Sequence, residues 1–242
     1  MRFLDKALSH THKSWQPLLK TALKAVKTDY LKSLEDSNNC LPGTEQIFNA
    51  FSQPLSNTRY ILFGESPYPR KASANGYAFW DAAVNTLWSD TGFSKPVNRA
   101  TSLRNLLKML LLTEGLLDAE HTSQAAIAAL SKNNLVQTLA DLFQNFLKEG
   151  FLLLNASLVL SEKPVAYDAK QWLPFMEALL IAIHQHQPAI NLILFGKIAL
   201  TINQLPIAAH FSQLTAEHPY NVSFIHNSTV QAFFKPFNLL QI

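Results

Sequence analysis

The chain alternates between stretches that carry apolar residues at helical spacing and short, continuous apolar runs. In the helical stretches the apolar residues recur every three or four positions, which is typical of amphipathic helices packed on a core. The pattern predicts a helix at 15–34, a second that starts with 44–48, and further helices at 102–112, 123–130, 134–148, 171–184 and 228–240. A threonine at the start of the second and a serine at the start of the third are the expected N-caps.

The continuous apolar runs lie between these helices, at 60–63, 151–154 and 192–195, and a weaker fourth strand fits 212–215. Short runs of this kind, bounded by Gly, Asn or Pro, are typical of parallel strands that are covered on both faces. The predicted fold class is therefore α/β: three layers, α/β/α, around a central, mostly parallel four-stranded sheet. The length of 242 residues fits a single domain spanning 1–242.

Each predicted strand is followed by a polar or glycine-bearing segment: 64–69, Asn155, 196–197 and 217–219 in turn. The carboxyl ends of parallel strands lie along one edge of an open sheet, which is where such folds bind ligands. The pattern predicts that these four segments meet at one site. Taken singly, each segment also suits an ordinary turn, and an edge of this kind serves many chemistries.

Composition and charge narrow the class further. With 48% hydrophobic and 15% charged residues, the chain is not disordered, and no apolar run approaches the ~20 residues that span a bilayer. The first six residues lack the apolar core of a signal peptide, so we expect a cytoplasmic protein without a membrane partner. The single cysteine, Cys40, excludes a disulfide framework and a cysteine-ligated iron–sulfur cluster. The net charge of +3 is compatible with a nucleic-acid partner without demonstrating one.

The most informative segment is G-E-S-P-Y-P at 64–69, followed by G-Y-A-F at 76–79, with Phe79 eleven residues after Tyr68. It resembles the first active-site motif of the uracil-DNA glycosylases, G-Q-D-P-Y-H, which is followed at the same spacing by the phenylalanine of G-x-A-F. Four further motifs of that family have counterparts in the same order. They are S-L-R-N at 102–105, G-F-L-L-L-N at 150–155, L-F-G-K at 194–197 and H-P-Y-N-V-S at 218–223.

The resemblance implies roles for four residues of a base pocket. Phe79 matches the ring that stacks on a flipped base, and Asn155 matches the amide that reads its Watson–Crick edge. Tyr68 matches the ring that excludes the C5-methyl group of thymine. His218 matches the histidine that hydrogen-bonds uracil O2 as negative charge develops on the leaving base. These residue types suit an enzyme that extrudes a base and holds it by stacking and hydrogen bonds. The resemblance implies neither a metal nor a cofactor.

The resemblance also implies a DNA-binding rim and a DNA partner. Ser102, Lys197 and the loop with Pro219, Tyr220 and Val222 match segments that grip the DNA backbone, and helix N-termini and cations suit phosphates. The family's leucine wedge is replaced by the shorter Val222, so Tyr220 is a candidate for stacking into the duplex. We expect a monomer, associated with the nucleoid if the protein is bacterial.

Each residue also has an ordinary structural reading. Phe79 suits a core position, Asn155 a turn, and Lys197 a solvated helix position. Arg70 and Lys71 are more often solvated charges than phosphate contacts. Four further histidines show no metal-ligand spacing and are interpreted as surface or loop residues: His184, His186, His210 and His226.

Two departures from the family pattern concern the chemistry. Ser66 stands where the family has its catalytic aspartate, and Pro69 stands where it has histidine. A serine carries no charge at neutral pH, and the adjacent Glu65 supplies a carboxylate only if the loop turns it toward the site. Two hypotheses follow. The protein is a glycosylase of altered or reduced activity that uses Ser66, Glu65 and His218, or it is a catalytically silent DNA-binding protein that retains the base pocket.

Overall fold

A computed structural model describes residues 2–37 and 39–242, so Met1 and Asn38 of the predicted 1–242 domain lie outside the described residues. Helices and strands alternate along this part of the chain. The helices are α1 (Arg2–Ser9), α2 (Gln16–Leu23), α3 (Thr28–Glu35), α4 (Lys95–Arg99), α5 (Thr101–Thr113), α6 (Gln124–Ala128), α7 (Leu139–Lys148), α8 (Val165–His186), α9 (Ile198–Ile202) and α10 (Ser228–Phe234). The strands are β1 (Tyr60–Gly64), β2 (Trp88–Ser89), β3 (Gly92–Phe93), β4 (Phe151–Asn155), β5 (Asn191–Phe195) and β6 (Ser212–Ala216). Short 3-10 helices cover Asn49–Ser52, Leu55–Asn57, Pro206–His210, Val222–His226 and Lys235–Phe237.

The central sheet confirms the predicted fold class. It has four parallel strands in the order β4-β1-β5-β6, flanked by helices. Strand β1 pairs with β4 from Tyr60↔Phe151 to Gly64↔Asn155, and with β5 on its other side. The next strand of this sheet along the chain, β4, lies on one side of β1, and the strand after that, β5, lies on the other. The carboxyl end of β1 is therefore the switch point at which open α/β sheets bind ligands. The first motif begins at this end.

The apolar runs are continuous because the strands are covered on both faces. Ile61, Leu62 and Phe63 are consecutive and at most 1% exposed, and all five residues of β4 are buried. No strand position there meets water, so no polar alternation is needed. The antiparallel pair β2–β3 is absent from the sequence-based prediction because two residues per strand are too few to show a period.

The described chain divides into two compact units. The first comprises residues 2–81, 150–194 and 198–214, and the second comprises 82–149, 195–197 and 215–242. The core of the first unit includes Ile61 and Phe63 of β1 with Trp172 and Phe175 of α8. In the second unit the buried side chains come mainly from α5, α7 and α10. Phe146 and Phe234 pack there with their ring centroids 6.0 Å apart.

The single helix predicted over 15–34 is wrong, since the structure has two helices, α2 and α3, joined at Lys24–Lys27. At about 100° per residue, Leu31 of a straight helix would lie about 140° around the axis from Val26, outside the stripe that packs on the core. The turn at Lys24–Lys27 changes the direction of the chain, so that α3 presents its apolar side chains to the core. Val26, Leu31 and Leu34 are consequently all at most 5% exposed.

The helix predicted at 44–48 is also wrong, because this segment forms turns. Gln46 N–H bonds to the Gly43 carbonyl and Asn49 N–H to the Gln46 carbonyl, in place of a helical ladder. The backbone of Gln46 lies so close to Gly76 that a Cβ on this glycine would be 2.1 Å from the Gln46 oxygen. A packed backbone contact therefore overrides the local helical pattern.

The other predicted helices exist, with boundaries moved by capping and by proline. Helix α7 begins at Leu139 because Thr138 and Asp141 form a capping box. Helix α8 begins earlier than predicted, directly after Pro164. The last helix ends at Phe234, because Pro236 cannot donate a ladder hydrogen bond.

A buried polar network anchors the segment that follows β4. The Asp168 carboxylate is fully buried and accepts hydrogen bonds from the Tyr30 hydroxyl (2.8 Å), the Ser161 backbone N–H (2.8 Å) and the Ser161 hydroxyl. Burial, and then the neighbouring Asp168, raise the pKa of Tyr30, so its phenol stays protonated and donates. These bonds fix the path of the chain from Asn155 into α8.

In the described part of the chain, no helix has both the length and the apolar character needed to cross a membrane.

Candidate active site

In the first unit, Gly64 at the end of β1 and Asn155 at the end of β4 form a close-packed pair. A Cβ at Gly64 would lie 2.4 Å from Asn155 Oδ1 and 2.9 Å from the Ala78 Cβ. These distances are shorter than van der Waals contact, so only glycine leaves room for the amide. The following residues continue the pairing, since the N–H groups of Ala156 and Ser157 bond to the carbonyls of Gly64 and Glu65 at 2.9 and 3.0 Å.

The Asn155 amide is held in place without a protein partner. Its residue is 4% exposed, and its side chain makes no hydrogen bond within residues 2–37 and 39–242. The amide keeps some solvent contact, since its atoms are not among the fully buried, unpartnered side-chain atoms of the described residues. A ligand that enters the site can therefore supply its hydrogen bonds. A side-chain amide offers one acceptor and a donor pair, which suits the edge of a base.

Substitution of Gly64 by Ala is expected to remove base binding. The added methyl group would displace the Asn155 amide and overpack the loop, at a cost of about 1–3 kcal/mol in the free energy of unfolding. Calorimetric titration with uracil-containing oligonucleotide and urea unfolding measure the two effects. The matched control is the double variant Gly64→Ala/Asn155→Ala, which should regain stability while still failing to discriminate uracil. Normal binding by Gly64→Ala would contradict the placement of Asn155 in the base site.

Phe79 lies in a half-buried position with a left-handed backbone, at φ = 63°. It is not a core residue, and this conformation is costly for a bulky side chain, by about 1–3 kcal/mol. Two contacts hold it: the Ala78 N–H donates to the Leu153 carbonyl of β4 at 3.0 Å, and the Tyr68 hydroxyl donates to the Phe79 carbonyl at 3.1 Å. Strain maintained by its surroundings in this way is a feature of functional sites.

Tyr68 is thus tied to Phe79 eleven positions later. Burial, and then the nearby Asp81 carboxylate, raise the pKa of the Tyr68 phenol, so it remains a hydrogen-bond donor at neutral pH. On the same loop, Ser66 is half-buried and Glu65 is exposed. The structure therefore brings Tyr68, Phe79 and Ala78 to the ends of β1 and β4, with Ser66 on the connecting segment.

Asp81 is a buried carboxylate on the same segment as Phe79, and it is absent from the sequence-based site. It is 3% exposed and pairs with the guanidinium of Arg70 at 3.2 Å, while Arg70 itself is largely solvent-accessible. Arg70 is therefore not simply a solvated charge. Arg70 and Asp81 are eleven positions apart in the sequence, as are Tyr68 and Phe79. This repeated spacing could have indicated the ion pair of Arg70 and Asp81.

In the second unit, His218 packs against Gly196. A Cβ at Gly196, where φ is 72°, would lie 2.7 Å from the His218 Cβ, so glycine is required both by the backbone and by the histidine. The backbone N–H of Tyr220 lies 3.1 Å from His218 Nδ1. Because a backbone amide can only donate, Nδ1 is the acceptor and the proton of the neutral ring is on Nε2. The ring can therefore donate through Nε2.

The residue before His218 is also fixed. Asn227 Nδ2 donates to Glu217 Oε2 at 2.8 Å, and the Asn227 Oδ1 caps α10 by accepting from the Val230 N–H. Burial would raise the pKa of Glu217, but hydrogen bonds from its own backbone, Ser223 and Asn227 outweigh burial and lower the pKa. Glu217 lies in the predicted 217–219 segment, whereas Asn227 does not belong to the sequence-based site, because a contact ten positions apart leaves no periodic signal.

The candidate DNA-contacting residues of the second unit differ in exposure. Lys197 is exposed, and Tyr220 and Val222 are 66% and 67% exposed, which is unusual for large apolar side chains, whereas Pro219 is buried. The prediction that Ser102 caps its helix is wrong, because the N-cap is Ala100 and no side chain caps it. Ser102 is half-buried in the first turn of α5, where backbone N–H groups lack intrahelical partners.

The described residues contain no group of three or more His, Cys, Asp or Glu side chains arranged to hold a metal ion. His184 and His210 lie with their ring centroids 5.6 Å apart.

Known proteins with a similar sequence or structure are glycosylases. The uracil-DNA glycosylase of Amoebophilus asiaticus is 27% identical over 85% of this chain and 82% of its own length, and that of Chromobacterium violaceum is 25% identical over 92% and 84%. The crystal structure of the mimivirus uracil-DNA glycosylase, at 15% identity and a TM-score of 0.58, shares the fold. No model of a protein family matches the chain.

The crystal structure of the wild-type UNG of Nitratifractor salsuginis is much more similar. It is 40% identical, with a TM-score of 0.93, and the match covers 99% of this chain and 96% of that one. The structure of a point mutant of the same UNG gives a TM-score of 0.94 at 39% identity. Such identity over the full length, together with motifs in the same order, shows that the chain belongs to the uracil-DNA glycosylase family, whose members are monofunctional DNA glycosylases.

Proposed function

We propose that this protein excises a uracil-type, deaminated base from DNA by hydrolysing its N-glycosidic bond, with altered or reduced activity and without a cofactor. The observation that carries the proposal is the unpaired Asn155 amide, fixed beside Gly64 and next to the strained segment of Phe79. A buried amide without a protein partner suits the Watson–Crick edge of a flipped base.

In this proposal, Asn155 bonds to N3–H and O4 of uracil, Phe79 stacks on the ring, and Tyr68 excludes a C5-methyl group. Tyr68 suits this role because its hydroxyl is fixed on the Phe79 carbonyl, which ties its ring to the segment that carries Phe79. Cytosine presents a donor where uracil has O4 and lacks N3–H, so the same amide orientation disfavours it.

The chemistry requires that the N1–C1′ bond breaks with its electron pair leaving on the base while water adds to C1′. His218 would stabilise the departing anion by donating from Nε2 to O2, since its Nδ1 is already occupied by the Tyr220 N–H. Ser66 would hold the water, and Glu65 is the carboxylate nearest in sequence. We propose that the rate is reduced because Ser66 cannot offset the positive charge that develops on the sugar.

The proposed DNA-binding rim consists of Ser102, Lys197, Pro219, Tyr220 and Val222. Exposed Lys197 would bind phosphate, the first turn of α5 would offer N–H groups to phosphate, and exposed Tyr220 would stack into the duplex. We further propose that the protein acts as a monomer in the cytoplasm, at the nucleoid if it is bacterial.

One observation favours a second function. Ser66 occupies the position of the family's catalytic aspartate, and the exposed Glu65 makes no side-chain hydrogen bond with the described residues that would hold it toward a substrate. A protein with the pocket but without hydrolysis would bind uracil-containing DNA and release no base.

The test is to incubate the protein with single- and double-stranded oligonucleotides that contain one uracil, thymine or hypoxanthine, and to measure base release and binding. We expect slow release of uracil and none of thymine. Binding should weaken as salt increases, because each neutralised phosphate releases counterions, and Lys197→Ala should reduce the slope of log K against log salt by about 1. Uracil-selective binding without release would support the silent function. Failure to bind any DNA at low salt would contradict both.

A further inference from the structure

A single buried side chain, Asn105 of α5, contacts the whole backbone turn that follows His218. Asn105 is 2% exposed, and its Nδ2 lies 2.8 Å from the Pro219 carbonyl and 3.4 Å from the carbonyls of Tyr220 and Asn221. An amide nitrogen carries two hydrogens, so one bonds to Pro219 directly and the other is shared between the remaining two oxygens. Asn105 thus bonds to three successive carbonyls from 114 positions away in the sequence, and of these the Asn221 carbonyl also accepts from the Phe224 N–H at 3.2 Å.

The turn that Asn105 contacts, residues 218–222, has few other hydrogen bonds at its tip. The Asn221 N–H bonds to the His218 carbonyl at 2.9 Å, and the Tyr220 N–H bonds to His218 Nδ1 at 3.1 Å. The side chains of Tyr220 and Val222 contribute little, because two thirds of each is exposed. The path of the backbone therefore depends on the carbonyl side, which Asn105 contacts.

The same turn determines where the His218 ring points. Since the Tyr220 N–H fixes Nδ1, a shift of the Tyr220 peptide moves both the ring and the exposed tyrosine. Asn105 contacts the carbonyls on both sides of the Tyr220 Cα, those of Pro219 and of Tyr220 itself, and so restrains both peptides.

We propose that Asn105 is a positioning residue, which holds the 218–222 turn so that the exposed Tyr220 and the His218 Nε2–H are presented together to a DNA duplex. It acts through the turn and touches neither DNA nor base. The test by base release rests on the proposed glycosylase function. A second test, by amide hydrogen exchange, does not depend on that function.

The chain offers a matched control in the same unit. Asn145 of α7 uses the same chemistry, donating from Nδ2 to the carbonyls of Leu239 and Gln241 at 3.0 and 2.8 Å, but it holds a segment other than the 218–222 turn. Asn105→Asp and Asn145→Asp both replace a donor by an acceptor of equal size that faces carbonyl oxygens. Any general effect of such a change on folding is therefore common to both variants.

The first measurement is base release from a uracil-containing duplex and from the same single strand. We expect Asn105→Asp to lower release from the duplex by about 10²-fold at pH 8, as expected for a misplaced catalytic group. The loss from the single strand should be smaller, because no stacked duplex has to be opened there. Asn145→Asp should stay within about twofold of wild type. Equal losses for the two variants, or equal losses on both substrates, would overturn the proposal.

A pH series separates positioning from simple loss of structure. A protonated aspartic acid regains one donor for the Pro219 carbonyl, so the activity of Asn105→Asp relative to wild type should rise as the pH falls from 8 to 5.5. A ratio that does not change with pH would contradict a role through this hydrogen bond.

The second measurement is amide hydrogen exchange over residues 220–222, which needs no catalysis. Both Asn105→Asp and Asn105→Ala should accelerate exchange in this turn by about tenfold or more, while α5 itself stays protected. If wild type releases no base, the glycosylase proposal fails and exchange decides the positioning role by itself. Unchanged exchange at 220–222 in Asn105→Ala would refute that role whatever the activity.

Discussion

Replacing Ser66 by Asp is expected to raise the rate of uracil release by about 10²-fold or more, which is the usual contribution of an acid–base group. Ser66 is half-buried on the segment that leaves β1. A carboxylate placed there would supply the negative charge that stabilises the positively charged sugar. Single-turnover release of uracil from a duplex measures the effect.

The variant Ser66→Asn separates the effect of charge from the effect of side-chain size, because it is isosteric with the aspartate variant and neutral. It should not exceed the wild-type rate. Glu65→Gln tests the remaining carboxylate of the loop, and it should slow wild type if Glu65 supplies the missing charge. Equal rates for Ser66→Asp and Ser66→Asn would refute the electrostatic account. If neither wild type nor Ser66→Asp releases uracil while both bind it, the silent function is correct.

Substitution of His218 is expected to have the second large effect. Removing a donor aimed at developing negative charge costs about 10²–10³ in rate, so His218→Ala should abolish most of the activity. The alanine variant alone is ambiguous, because His218 Nδ1 also accepts the Tyr220 N–H and supports the turn.

Two amide variants resolve this ambiguity. In His218→Asn the side-chain oxygen can take the place of Nδ1 and keep the bond from Tyr220, but nothing replaces Nε2–H. In His218→Gln the longer side chain brings an amide N–H toward the Nε2 position and leaves the Tyr220 N–H unpaired. We therefore expect the Gln variant to retain more single-turnover activity than the Asn variant. The opposite order would show that the ring matters through the turn and not as a donor to the base.

The four strands of the central sheet and the position of the first motif could be predicted from local pattern. Runs such as residues 151–154 are apolar throughout because β4 is buried on both faces. Three such runs and the weaker strand at 212–215, separated by helices, leave few arrangements besides a parallel sheet with its loops at the carboxyl edge. The motif residues could be located for the same reason, since they follow directly on the strands.

Local pattern failed where distant packing decides the backbone. The break between α2 and α3 serves to bury Leu31 and Leu34 together with Val26, and the turns at 44–48 follow the close approach of Gly76. The cap predicted at Ser102 is wrong because the helix starts at Thr101, and local pattern does not fix a helix start to within one or two residues. In the first two cases tertiary packing outweighs a propensity of less than about 1 kcal/mol per residue.

By itself, then, the sequence determined the α/β class, the four strands, the family and the residue types available for a base pocket. Only the tertiary structure decided how these residues are held. The Asn155 amide is fixed by its packing on Gly64, Phe79 is left-handed because Tyr68 and Leu153 bind its segment, and Asn105 reaches a turn 114 positions away. Hydrogen bonds between such distant groups leave no periodic trace in a sequence, because their geometry exists only once the chain has folded.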